Sequence, residues 1–145
     1  MSVSHVGAFE TTVQKTHHWL AAIMSEMGWE DHEKAYMALR SVLHALRDRL
    51  QPNEAVHLAA ELPMLVRGFY FEGWHPANKP LSYRHKKEFL EQVRKEAPGI
   101  TEDEVERTVT AVFYRLSTEI PSGEVHQVRD QLPAEVRELW TQSAL

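Results

Sequence analysis

The chain contains no cysteine, which excludes disulfides, thiolate metal sites and cysteine nucleophiles together. A reducing compartment, the cytoplasm, is the expectation that follows. No apolar run approaches the ~20 residues that a membrane helix needs, and the amino terminus shows no charged-then-apolar leader with a cleavage site. A membrane is therefore not among the expected partners. Gly-rich phosphate loops, Gly-x-Ser-x-Gly elbows and His-Glu-x-x-His helices are also missing, so nothing points to phosphoryl transfer, an esterase or a zinc protease. No cofactor is expected, and an enzyme is only the third reading of the chain.

An excess of positive charge is lacking too. The net charge is −5, and it is spread evenly: residues 1–78 carry 6 basic and 9 acidic side chains, residues 79–145 carry 10 and 12. This balance argues against a nucleic-acid partner. Lys79, Arg84, His85, Lys86 and Lys87 form the one basic cluster, but Glu88 and Glu91 follow at once, as at a solvated helix start.

What is present is helical periodicity in a chain of 145 residues, long enough for one ordinary domain with its own core. Phe9, Val13, Leu20, Ile23 and Met27 place a first helix over about residues 8–27, with Gly28 as its left-handed end and residues 1–8 as a loose start. Asp31 caps a second helix whose Ala35, Leu39, Val42, Leu43, Leu46 and Leu50 make one stripe. Lys34, Arg40, Arg47 and Asp48 fall opposite, toward solvent. Pro52 opens a short third helix, and Pro63 the fourth. In the fourth, Met64, Leu65, Val66, Phe69, Tyr70 and Phe71 go all round the wheel, which predicts a central helix buried on every side. Leu65→Glu should then unfold or separate the halves.

A shift of 70 positions lays residues 19–70 on 89–140 without a gap. Leu20 meets Leu90, Val42 meets Val112, Leu46 meets Leu116, Glu54 meets Glu124, Leu62-Pro63 meets Leu132-Pro133 and Val66-Arg67 meets Val136-Arg137. A constant register through four helices predicts an internal duplication. The expected fold is all-α, a single compact helical domain of two pseudo-symmetric repeats. Repeat one runs over about residues 9–74, a connecting loop over about 75–84 and repeat two over about 85–142. In the second copy Thr101 and Glu104 form a capping box. Met64, Leu65 and Gly68 become Ala134, Glu135 and Glu138, so the last helix should be peripheral, and Glu135→Leu should be tolerated.

Ala35 to Leu50, Leu62-Pro63, Arg67-Gly68, Tyr70, Glu72-Gly73-Trp74-His75-Pro76, Glu88-Phe89-Leu90 and the second Leu132-Pro133 together resemble the bacterial domain of unknown function 2267 family, roughly from Trp19 to Trp140. The resemblance implies an all-helical, two-repeat, soluble bacterial protein. The family has no assigned reaction, so no catalytic residue carries over.

Among candidate site residues, Arg67, Tyr70, Phe71, Trp74, His75 and Tyr83 gather around the exit of the fourth helix and a loop that has no twin in the other repeat. Aromatic groups with polar handles suit a ligand or partner surface, and plugging the seam between halves is the plainer reading. Arg67 and Arg137, repeated at one offset, favour architecture, each paired with a glutamate of its own copy, Glu54 or Glu124. Glu54 and His57 stand at i and i+3, the spacing of carboxylate-bridged metal bundles. Gln127 replaces the histidine in the second copy, which leaves Glu54 and His57 weak metal candidates and ordinary surface histidines the preferred reading. The leading function is a non-enzymatic protein-interaction or regulatory module, with an unknown partner or a homodimer. A small-ligand or metal-binding protein with a pocket between the repeats is the alternative.

Overall fold

A computed structural model describes residues 5–143, and the side chains of residues 5–140. Among the described residues the chain forms eight helices: α1 (Gly7–Met27), α2 (His32–Asp48), α3 (Pro52–Ala59), α4 (Met64–Phe71), α5 (Lys86–Glu96), α6 (Val105–Glu119), α7 (Ser122–Asp130) and α8 (Ala134–Ser143). No helix is long and apolar enough to cross a membrane. Of the expected loose start, residues 1–4 lie outside the described residues. Gly7 and Ala8 already belong to α1.

Local signals act where the sequence puts them. Gly28 takes φ 72° and ends α1 with its N–H on the Met24 carbonyl, a backbone that side chains with a Cβ rarely adopt. Asp31 Oδ1 accepts from Lys34 N at 3.2 Å at the head of α2. Pro52, Pro63, Pro121 and Pro133 each stand within a residue of a helix start. Glu104 accepts from Thr101 N at 3.0 Å, but α6 begins only at Val105, so the box closes a turn ahead of the helix.

The middle of the molecule is α2, not α4. Ala35, Ala38, Leu39, Val42, Leu43 and Leu46 have no exposed area, and α2 packs on α1, α3, α4, α5 and α6. By contrast α4 is two turns long and buries Val66, Phe69 and Tyr70, while Met64 and Leu65 are 47% and 43% exposed. The expectation that α4 is enclosed on all sides is overturned. Its apolar composition is real, but it meets only α1 and α2 closely, and two short turns offer one inward face. The last helix is no more peripheral: Val136, Leu139 and Trp140 are buried, and the Trp140 ring stacks on Phe113 at 4.4 Å.

The supposed solvent face of α2 is also an interior one. Arg47 is 4% exposed and donates through Nη1 to the carbonyls of Tyr70 and Glu72. His44, 3% exposed, sets Nε2 2.6 Å from the Phe69 carbonyl and Nδ1 2.8 Å from Glu96 of α5. Arg40 bridges Glu72 and Glu96 at 3.0 and 2.9 Å. Carbonyls at the end of α4 are thus met by side chains of α2: His44 lies against that of Phe69, and the Arg47 guanidinium takes those of Tyr70 and Glu72, where the helix dipole favours a cation.

On α1 the inward positions are Thr12, Thr16, Trp19, Leu20, Ile23 and Met27, whereas Phe9 and Val13 are 61% and 41% exposed. Thr12 Oγ1 accepts from Leu65 N at 2.8 Å and so caps the start of α4 from a neighbouring helix.

Candidate functional site

Two short helices meet across the molecule: α3 packs on α7. Pro52 fixes the start of α3, so Ala55, Leu58 and Ala59 face the core and Glu54 lies on the flank of that face. In α7, Val125 and Val128 do the same for Glu124. Both glutamates end up buried, 9% exposed each, at the α3–α7 seam. One oxygen of each, Oε2, is sealed from solvent and accepts from no backbone or side-chain N–H or hydroxyl of the rest of the protein, the two carboxyls facing one another. Native interiors rarely leave such atoms unsatisfied.

His57, one turn after Glu54, lies over the pair from the solvent side, its side chain 66% exposed. Its Nδ1 is 3.3 Å from Glu124 Oε1 and 3.9 Å from Glu54 Oε2. One ligand atom from each of the three residues can be chosen so that all lie within 4.8 Å of one another. Ligands bound at about 2.1 Å around one ion stand roughly 3.0–3.4 Å apart in octahedral or tetrahedral geometry. The set therefore needs only small rotamer adjustments to close on a divalent cation. Without one, burial and then the hydrogen bond and charge of Glu54 push the Glu124 carboxyl up to about 8, since two adjacent carboxylates in a desolvated place do not both ionise readily. Glu61 adds a further, weaker negative field.

Sequence reasoning found Glu54 and His57 and missed Glu124 as their companion, pairing it with an arginine instead. The usable signal was the shared offset of Glu54 and Glu124; what it did not give was that the two copies of this helix face each other. Arg67 donates through Nε and Nη2 to the carbonyls of Ala59 and Leu62, both at 2.9 Å, rather than to Glu54. Arg137 donates in the same way to Arg129 and Leu132 at 3.0 and 2.9 Å. Each arginine ties the end of one short helix to the next.

The aromatic candidates are distributed rather than gathered on one surface. Tyr70 is wholly buried and donates its hydroxyl to the Ala55 carbonyl at 2.7 Å; burial holds its phenol well above the usual range. Phe71 packs between Tyr70 and Trp74, with ring centres at 5.2 and 5.4 Å. Trp74 and Tyr83 are half-buried, and the indole N–H of the one and the hydroxyl of the other are sealed without a partner. The Arg49 guanidinium lies 5.6 Å over the Tyr83 ring and donates to its carbonyl at 2.9 Å. His75 is exposed.

Comparison with curated proteins finds no match. The family model described as "Uncharacterized conserved protein (DUF2267)" matches residues 16–139, a span that holds the Glu54–His57–Glu124 seam and the two arginine ties alike. The chain therefore belongs to the DUF2267 family.

Proposed function

We propose that this protein binds a divalent cation through Glu54, His57 and Glu124, as a non-enzymatic binding or regulatory protein. The observation that carries this reading is the pair of buried carboxyls from α3 and α7 that face one another, each with an Oε2 that receives no N–H of the rest of the protein, beneath an imidazole within 3.9 Å of both. Two carboxylates and one imidazole suit first-row transition ions such as Zn2+ or Mn2+ better than Mg2+, which retains waters and demands near-ideal oxygen geometry.

The site links α3 to α7, and an ion there would stabilise the folded form by mass action. Protein stripped with chelator should melt at a higher temperature when Zn2+ is added, and less so with Mg2+. Retention of stoichiometric metal after desalting would agree. No thermal response to any of Zn2+, Mn2+ or Mg2+ would sink the reading.

The near-identical hydrogen bonds of Arg67 and Arg137 and the matched burial of Leu43 with Phe113, Leu46 with Leu116 and Leu58 with Val128 support a duplicated ancestor. On this reading the chain is one domain of two repeats, and the cation sits where repeat one meets repeat two. The absence of cysteine agrees with a bacterial cytoplasm. A second reading, an interaction surface along Phe71 to Tyr83, draws on the half-buried Phe71, Trp74 and Tyr83 rings and the exposed His75.

A further inference from the structure

The outer face of α5 and the turn after it form a groove of about 540 Å³. Leu90, Pro98 and the edge of the buried Val105 make its apolar floor. Lys86, Lys87, Arg94 and Lys95 stand around it, with Glu91 and Glu102 as the opposing charges. Four cations against two carboxylates is the reverse of the chain as a whole, whose net charge is −5.

The four cations are not equally free. Lys86 Nζ is 3.2 Å from Glu106, and Arg94 gives Nε to the Ile100 carbonyl at 3.0 Å, which fixes its guanidinium at the groove wall. Lys87 and Lys95 are exposed and enter no ion pair among the described residues. They are eight residues apart on one helix, about 12 Å at 1.5 Å per residue. That is close to the spacing of side chains two turns apart on another helix. The core does not need this arrangement: α5 buries Phe89 and Val93 on its other side, its amino end is closed by Glu135, and Glu91, one turn from each lysine, offsets only one of the two charges.

We infer that the α5 groove takes an acidic amphipathic helix of a protein partner, its carboxylates set two turns apart against Lys87 and Lys95 and its apolar side on Leu90 and Val105. Helix-in-groove recognition needs this combination of a narrow apolar floor and a charged rim. Exposed ion pairs contribute little on their own, so the charges select and steer the partner while the floor retains it. Nucleic acid is disfavoured by Glu91 and Glu102 in the groove. A lipid surface is disfavoured because Glu91 and Glu102 stand in the groove and would meet an anionic bilayer with like charge.

The test uses the full chain and a fluorescein-labelled, capped 14-residue helical peptide of leucines at helical spacing with glutamates elsewhere, followed by anisotropy. Saturable binding is expected at low salt, weakening several-fold as salt is raised through the range where exposed charges are screened. The same peptide with lysine in place of glutamate should not bind. K87E/K95E should lose at least tenfold in affinity with an unchanged melting temperature. K87Q/K95Q, which avoids introducing repulsion within the helix, should lose less but measurably. Equal binding of both peptides, an unchanged affinity in both double variants, or binding to phosphatidylserine vesicles in place of the peptide would each overturn the inference. None of these readouts depends on the cation site.

Discussion

His57 Nδ1 of α3 stands 3.3 Å from Glu124 Oε1 of α7, so this histidine meets an acid of another helix where the two short helices cross. Beneath it, Glu124 in the folded state holds its proton up to about pH 8, against an ordinary value of 4.5. The folded form then binds more protons than the unfolded form between those values, and stability falls as pH rises through that interval. Glu124→Gln removes this loss. It should be close to neutral at pH 4 and stabilising by on the order of 2 kcal/mol at pH 9 in metal-free buffer, while abolishing the Zn2+ response. Urea titrations at the two pH values check this; equal effects at both would mean that the carboxyl is not perturbed.

Gln127 occupies in α7 the place that His57 occupies in α3, one turn beyond the glutamate. If the helices are related as the offset suggests, Gln127→His supplies a fourth ligand on the facing side. Zn2+ affinity should then rise on the order of tenfold, read by competition with a fluorescent chelator. An unchanged affinity would show that position 127 does not face the seam.

The helices and their caps were legible because each is a local matter: Gly28, Asp31 and the prolines act within a few residues of themselves, whereas Arg67 and Arg137 were expected on glutamates and instead tie backbone carbonyls. What the sequence concealed was partnership at long range. Arg40 and Arg47 read as the wet side of an amphipathic helix, yet Arg47 meets the end of α4, whose carbonyls carry no residue-type signature, and Arg40 bridges Glu72 and Glu96. Leu65 read as core because its neighbours in sequence are apolar, though only Val66, Phe69 and Tyr70 point inward. The same blindness separated Glu124 from Glu54, since no spacing rule says which face of one helix meets which face of another.

Leu65→Glu, at a half-open position, should therefore alter stability by less than about 1 kcal/mol. Val66→Glu places a carboxylate where no area is exposed and should cost more than about 3 kcal/mol, enough to unfold a domain of ordinary stability. Thermal melts of the two variants separate them, and comparable losses would restore α4 to an enclosed position.

Glu135 was expected to be replaceable by leucine. Instead its carboxylate accepts from Lys86 N at 3.0 Å and meets His85 Nδ1 at 3.0 Å, closing the start of α5 from α8. These bonds hold Glu135 below its ordinary 4.5 and His85 above its ordinary 6.5. The carboxylate's contribution is present above 4.5 and lost as pH falls through its lowered value. The imidazole's contribution is present below 6.5 and lost as pH rises through its raised value. Glu135→Leu should lower the melting temperature most between pH 4.5 and 6.5 and less on either side. A deficit that does not vary with pH would deny the pair its role.

Because α2 leans on α5 and α6 as closely as on its own neighbours, the first four helices leave the ribosome with one flank of their axis bare. That flank is covered only when α5 and α6, the latter ending at Glu119, have been made. A chain cut after α4 should therefore expose the apolar flank of α2 and aggregate rather than fold as half a molecule.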